Sequence, residues 1–413
     1  MIKHEIIDLP NKVRLVLAED KSKNQTYAEL IVNFGGAVEK YKRNKECKKI
    51  TPGLAHLMEH YLVENSIYGS MFNYFKEKFV TFNATTNFNK TRFYIDTVFD
   101  FDMRLEELIK LVNTPVFADL SLEKTKKPII EEIKRNNDRL YNKFSKKIND
   151  CTYVRMKCRE TTGSSKDVNS ITVKELQEVH DLFYQVENQT IFIAGNFDTK
   201  KIAKLVEKIY GEIEREHIDY KILDKPEIAK VKKRKGHVID PNVDEFINIT
   251  FKIDLSKLTP KEKVKSTFYL SHFLNYNFND SSSAYQTLSQ NKDTIYSITT
   301  STSYFLKDIC LLDVGMYGTN LKKFKSIVFD VIKKKYADKE MFELWKKETL
   351  IKMIIRQNRV YSSGQAFLEN VLTFGYNDID KISDIEEFSL KDYKEFLNKL
   401  DFSNYTIVRQ TKK

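Results

Sequence analysis

The strongest constraint on this chain is the stretch Thr51-Pro-Gly-Leu-Ala-His-Leu-Met-Glu-His-Tyr-Leu-Val63. Within it, His56, Glu59 and His60 spell H-x-x-E-H, a zinc motif whose glutamate and second histidine stand in inverted order. Residues three and four apart share one face of a helix, so His56 and His60 can hold one metal ion with Glu59 beside it. In such a site two neutral imidazoles bind zinc, an open coordination position takes a water, and a carboxylate removes that water's proton. At roughly 100° per residue, Leu54, Leu57, Met58, Tyr61 and Leu62 gather on the opposite side. The pattern predicts a helix, entered at Pro52-Gly53, that packs by one face and turns the other toward a cleft. With seven histidines in 413 residues, a chance occurrence of this spacing is rare.

A chain of this length suggests two or more domains. Its 41% hydrophobic residues suffice for buried cores, and 12 glycines and seven prolines are too few for long flexible linkers. Cys47, Cys151, Cys158 and Cys310 show no C-x-x-C spacing, so reduced thiols in a cytoplasmic protein are expected, with Cys151 and Cys158 as packing residues. No apolar core follows Met1, so no signal peptide is expected, and no window is long enough for a membrane span. The net charge of +11 comes from lysines spread over the whole chain, without an accompanying nucleic-acid motif. A solvated basic surface is therefore expected, with no nucleic-acid partner.

Strand patterns occupy Val13–Ala18, Tyr27–Phe34, Phe82–Thr86 and Arg92–Val98, with helical spacing in Phe101–Val112. Farther on lies Ser121-Leu-Glu-Lys-Thr-Lys-Lys-Pro-Ile-Ile-Glu-Glu-Ile-Lys-Arg135. Glu131 and Glu132 point about 100° apart on a helix, so at most one can serve a buried site. Ile129, Ile130 and Ile133 define the packed side; Glu132 flanks it and Glu131 points away, which makes Glu132 the candidate third ligand. Pro128 is expected to kink or start this helix.

H-x-x-E-H followed 72 positions after His60 by Glu132 in I-I-E-E-I resembles the pitrilysin-type inverzincin peptidases, which include insulin-degrading enzyme and the mitochondrial processing peptidase. Phe34-Gly-Gly-Ala-Val-Glu39, Phe82-Asn-Ala-Thr-Thr86 and Ile191-Phe-Ile-Ala-Gly-Asn-Phe-Asp198 resemble further family segments in the same order. The resemblance implies an α+β fold: two similar sandwich domains, each a mostly antiparallel sheet with helices, facing each other across a chamber. Residues 1–220 would form the zinc-binding domain, 221–235 a charged linker and 236–413 a second, peptidase-like domain that restarts a strand pattern at Phe246–Ile253. It also implies one zinc ion held by His56, His60 and Glu132, Glu59 as general base, and substrate backbone bound at Asn83 and Ala84.

Two positions depart from the family pattern. Thr125 stands where the family often has an assisting glutamate. In Leu288-Ser-Gln-Asn-Lys-Asp-Thr-Ile-Tyr296, the substrate-binding tyrosine is present as Tyr296, but Ser289 replaces the arginine, and the nearby Lys292 lacks a bidentate guanidinium. The expectation is a zinc endopeptidase of small or unfolded peptides, active as a heterodimer with a homologous subunit that carries the Arg/Tyr pair. The rival readings are a non-catalytic scaffold subunit, against which the intact motif speaks, and a basic nucleic-acid adaptor.

Overall fold

The computed structural model describes residues 2–412 apart from 138–139, 157–160, 214, 290–294, 307, 336 and 376–381, and omits the side chains of 137, 140–142, 295–296 and 305. Two compact units emerge, one formed by Met1–Asn136, Arg159–Lys225 and Arg356–Leu368, the other by Asn137–Cys158, Pro226–Ile355 and Glu369–Lys413.

Among the described residues the first unit is built on nine strands: β1 (Lys3–Asp8), β2 (Arg14–Glu19), β3 (Thr26–Val32), β4 (Lys40–Arg43), β5 (Glu46–Lys49), β6 (Thr81–Thr86), β7 (Thr91–Thr97), β8 (Gln189–Gly195) and β9 (Lys221–Ile222). Six of them form a sheet of order β1-β2-β8-β3-β7-β6, antiparallel except for the β2–β8 pair. β3 is buried along its whole length because the sheet is covered on both faces. Ala28, Leu30 and Val32 join the main core beneath the helices α1 (Leu54–Glu64), α2 (Met71–Lys76), α3 (Phe101–Asn113) and α4 (Asp119–Asn137). On the alternate face, Glu29 accepts hydrogen bonds from Tyr27 (3.0 Å), Arg92 (3.0 Å) and Gln365 (2.9 Å). Gly364 lies so close to Phe192 and Ala18 that a Cβ would come within 2.8 Å of both. Residues 356–368 thus cover this second face.

The second unit carries α5 (Leu140–Thr152) and strands β10 (Lys235–Ile239), β11 (Phe246–Asp254), β12 (Ile295–Leu306), β13 (Ile309–Gly318) and β14 (Tyr405–Thr411). Its sheet order is β10-β14-β11-β13-β12, with only β10–β14 parallel. This reproduces β2-β8-β3-β7-β6 in order and direction, so the second half is a structural repeat of the first, as the strand pattern at Phe246 suggested. Ile247, Ile249, Phe251 and Ile253 face one core, and Phe246 and Val408 face Phe144 and Cys151 of α5.

The structure corrects the expectation that Pro128 starts a helix. Pro128 neither starts nor ends a helix; it lies inside α4, which runs unbroken from Asp119 to Asn137. Lys124, Lys127 and Pro128 all lie on the exposed side, where water can solvate the carbonyl that proline leaves without a donor.

Candidate metal centre

The entry to α1 is fixed by Gly53, whose φ of 88° suits glycine and whose Cβ, if present, would sit 2.4 Å from the Thr162 carbonyl oxygen. The helix that follows is buried almost all round rather than split into a packed face and an open one: Leu57, Met58 and Tyr61 are inaccessible, and His56 and Glu59 are only 9% and 7% exposed. His60 is the more accessible of the histidines. One helical turn brings the two imidazoles together, with ring centroids 4.6 Å apart.

α4 supplies the carboxylate. Ile129 and Ile133 lock its inner side into the core, and this phase directs Glu132 at the histidines. Glu132 Oε2 lies 3.8 Å from His56 Nε2 and 4.0 Å from His60 Nε2. One ligand atom from each of the three residues falls within 4.8 Å of the others. Glu131 is exposed and pairs instead with Lys134 at 2.7 Å. Asn136, one turn after Glu132, donates to its other oxygen at 3.5 Å.

The electrostatics suit a cation. Burial, reinforced by the neighbouring His60, pushes the His56 pKa down to about 4; burial also lowers that of His60, against the opposing pull of Glu132 and Glu64. Both rings are therefore neutral near pH 7, the form that binds metal. Donors about 2.1 Å from a common tetrahedral ion lie about 3.4 Å apart. The two separations from Glu132, 3.8 and 4.0 Å, are a few tenths of an ångström wider, within reach of small side-chain movements. Two imidazoles and one carboxylate form a zinc-type set.

Glu59 accepts a hydrogen bond from Thr86 Oγ1 at 2.9 Å. Thr86 lies 3.4 Å from the Thr91 hydroxyl, which donates to the Phe34 carbonyl at 2.9 Å. Burial raises the Glu59 pKa to about 7; the Thr86 bond opposes this and Glu132 adds to it. Thr86 was inside the quoted N-A-T-T segment, but nothing in the sequence assigned it to Glu59. Thr125 is buried on α4, donating to the Ser121 carbonyl and accepting from Asn65, each at 3.0 Å.

Among the described residues β6 pairs with β7 only and so ends its sheet. Ala84 is turned inward and Asn83 outward, the Asn83 side chain accepting from the Ala84 amide at 2.9 Å. In the second unit, exposed Ser289 closes the helix Ser283–Ser289 and donates to the Gln286 carbonyl at 3.0 Å. Tyr296 lies on β12 with its side chain outside the described residues, as are Lys292 and Cys158 in full. Cys151 is buried, as expected of a packing residue.

Two family profiles match: "Insulinase (Peptidase family M16)" over residues 14–163 and "Peptidase M16 inactive domain" over residues 170–346. The chain is 27% identical over 224 residues to YmfH, an uncharacterized zinc protease of Bacillus subtilis, covering 51% of each protein. It is 23% identical over 241 residues to the zinc protease PqqE of Helicobacter pylori, covering 56% of this chain and 51% of that one. The chain thus spans about half the length of these curated relatives. A putative M16-like peptidase from Alicyclobacillus acidocaldarius shares the fold with a TM-score of 0.86 at 18% identity, over 99% of this chain and 98% of that one.

Proposed function

This chain belongs to the M16, or insulinase, family of peptidases, and from that premise we propose that it is the zinc-bearing subunit of an endopeptidase acting on small or unfolded peptides. The observation that carries the proposal is the convergence of His56, His60 and Glu132 next to a buried carboxylate, Glu59. His56, His60 and Glu132 would hold one zinc ion per chain. Zinc bound there supplies a Lewis acid that acidifies a water and polarises the scissile carbonyl. Glu59, with Oε2 held by Thr86, takes the water's proton on its other oxygen and returns it to the departing amine. The unpaired edge of β6 at Asn83 and Ala84 binds substrate backbone by adding a strand, which reads extended conformation more than side-chain identity.

Tyr296 is kept as a substrate contact, and Ser289 in the arginine's place is the reason a partner is proposed: a homologous subunit with both the arginine and the tyrosine. The free thiols Cys47, Cys151 and Cys310 fit a reducing compartment, the cytoplasm. No described helix is long and apolar enough to cross a membrane. The test is to purify the chain alone, verify one zinc per chain, and assay a mixed peptide library with and without the candidate partner. Cleavage only after mixing, lost when the partner's arginine is replaced, is the expected result. Robust cleavage by the lone zinc-loaded chain overturns the partner requirement, and absence of zinc overturns the reading as a whole.

A further inference from the structure

The first unit contains a second polar site that shares no residue with the metal cluster. It is a cleft of about 660 Å³, bounded by the segment that follows α3, the helix Val173–Phe183 and the residues after the helix Thr199–Gly211. At its base His180 is 2% exposed, with Nε2 3.0 Å from the Val112 carbonyl oxygen and Nδ1 2.8 Å from Arg215 Nη2. A carbonyl can only accept, so Nε2 carries the proton and the Nδ1 lone pair accepts from the guanidinium. A second guanidinium nitrogen, Nη1, donates to the Tyr184 carbonyl. Two neutral acceptors therefore aim the guanidinium, and no described carboxylate is ion-paired with it.

A half-buried arginine with no carboxylate in direct contact is unusual, because ions leave water at a cost that a counter-ion normally offsets; here Asp181 and Glu187 act on Arg215 only through space. Two of its five N–H groups are used, which leaves others for a ligand. Asp181 lines the same cleft, neither hydrogen-bonded nor ion-paired among the described residues. Arg215 and Asp181 feel each other's charge without touching. Phe117, Ile213 and Ile218 supply apolar parts of the lining, beside the polar Gln177, Glu212 and Glu216.

We infer that this cleft binds a free apolar α-amino acid, with Arg215 gripping its carboxylate, Asp181 its ammonium group, and Phe117, Ile213 and Ile218 its side chain. An α-amino acid carries its ammonium and carboxylate groups on one carbon, a scale suited to bridging side chains that are near but unpaired. Charge-assisted bonds of this kind are the strong ones, and an unmet buried charge penalises analogues that lack the matching group.

The experiment is calorimetric titration of the full chain, stripped of metal and kept in EDTA so that no amino acid can bind through zinc. L-leucine and L-phenylalanine should bind saturably. Their N-acetyl forms, which cannot pair with Asp181, and their methyl esters, which cannot pair with Arg215, should each bind at least about tenfold more weakly. Asp181→Asn should weaken the free amino acid by a similar factor but leave the N-acetyl form unchanged. Arg215→Gln should abolish the preference for free acid over ester. Because Arg215 also supports His180, the blocked ligands on the unaltered chain keep the test valid if that variant fails to fold. No saturable binding of either amino acid at about 10 mM, or equal affinity for the free and blocked forms, overturns the inference.

Discussion

Thr86 and Glu59 are joined by a 2.9 Å hydrogen bond that ties the edge strand β6 to helix α1, which also carries His56 and His60. The bond holds one carboxylate oxygen still and leaves the other to act. Bonds to a charged group contribute about 1.5–3 kcal/mol. Thr86→Val should therefore lower kcat by roughly 10- to 100-fold with little change in zinc content, and Thr86→Ser should restore most of it. Steady-state kinetics with metal analysis checks this; equal activity in the valine variant would show the bond to be incidental.

Glu59→Gln keeps shape and polarity but cannot take a proton. It should retain zinc and peptide binding while turnover falls roughly 10²- to 10⁴-fold. A loss below about threefold would remove Glu59 from the proposed role.

Adjacent glutamates should separate cleanly. Glu132→Ala should weaken zinc binding strongly because Glu132 faces both histidines, whereas Glu131→Ala should not, since its partner is Lys134. Metal analysis after dialysis against a weak chelator decides, and equal losses would mean the third ligand is misassigned.

Local periodicity made this distinction legible. The phase of Ile129 and Ile133 against the core sets the direction of Glu132 without knowledge of any other element. The repeat was implied by the family resemblance, and the strand pattern restarting at Phe246 agreed with it. What the sequence hid is tertiary. Nothing local to Thr86 says that α1 will bring Glu59 beside it, and nothing near Arg356–Leu368 says that this segment covers a sheet whose first strand lies some 350 positions earlier. The Arg215–His180 cleft was invisible likewise, because its walls come from three separate segments.

Lys252 and Glu227 form an ion pair of 2.8 Å with side chains 0% and 2% exposed. Glu227 also accepts from the amides of Val154, Arg155 and Met156, and Lys252 donates to the carbonyls of Thr152 and Lys230. Lys252→Met strands a buried carboxylate and should cost about 3–5 kcal/mol. Adding Glu227→Gln should recover part of that loss, since the amide oxygen still meets some of those N–H groups while the charge is gone. Chemical denaturation of the three variants checks this; a double mutant no more stable than Lys252→Met would refute the stranded-charge account.

His272 makes the second unit sensitive to acid. It is 3% exposed and stacks on Trp345 with centroids 4.5 Å apart, with Phe342 and Tyr393 as further ring neighbours. Burial drives its pKa down to about 4. In the unfolded chain the same imidazole titrates near 6.5, so below that pH the unfolded state binds the extra proton and the folded state does not. The stability associated with this group is complete above pH 6.5 and is lost as pH falls toward 4, at about 1.4 kcal/mol per pH unit. His272 has no hydrogen bond among the described residues, so His272→Phe keeps the ring packing and removes only the titration. The variant should match the parent near pH 7.5 and exceed it by about 2 kcal/mol at pH 5. Trp345, the chain's single tryptophan, reports unfolding at the site itself. Denaturant titrations by its fluorescence at the two pH values give the comparison, in which every other histidine is common to both proteins. Parallel pH dependence in the two would place the acid lability elsewhere.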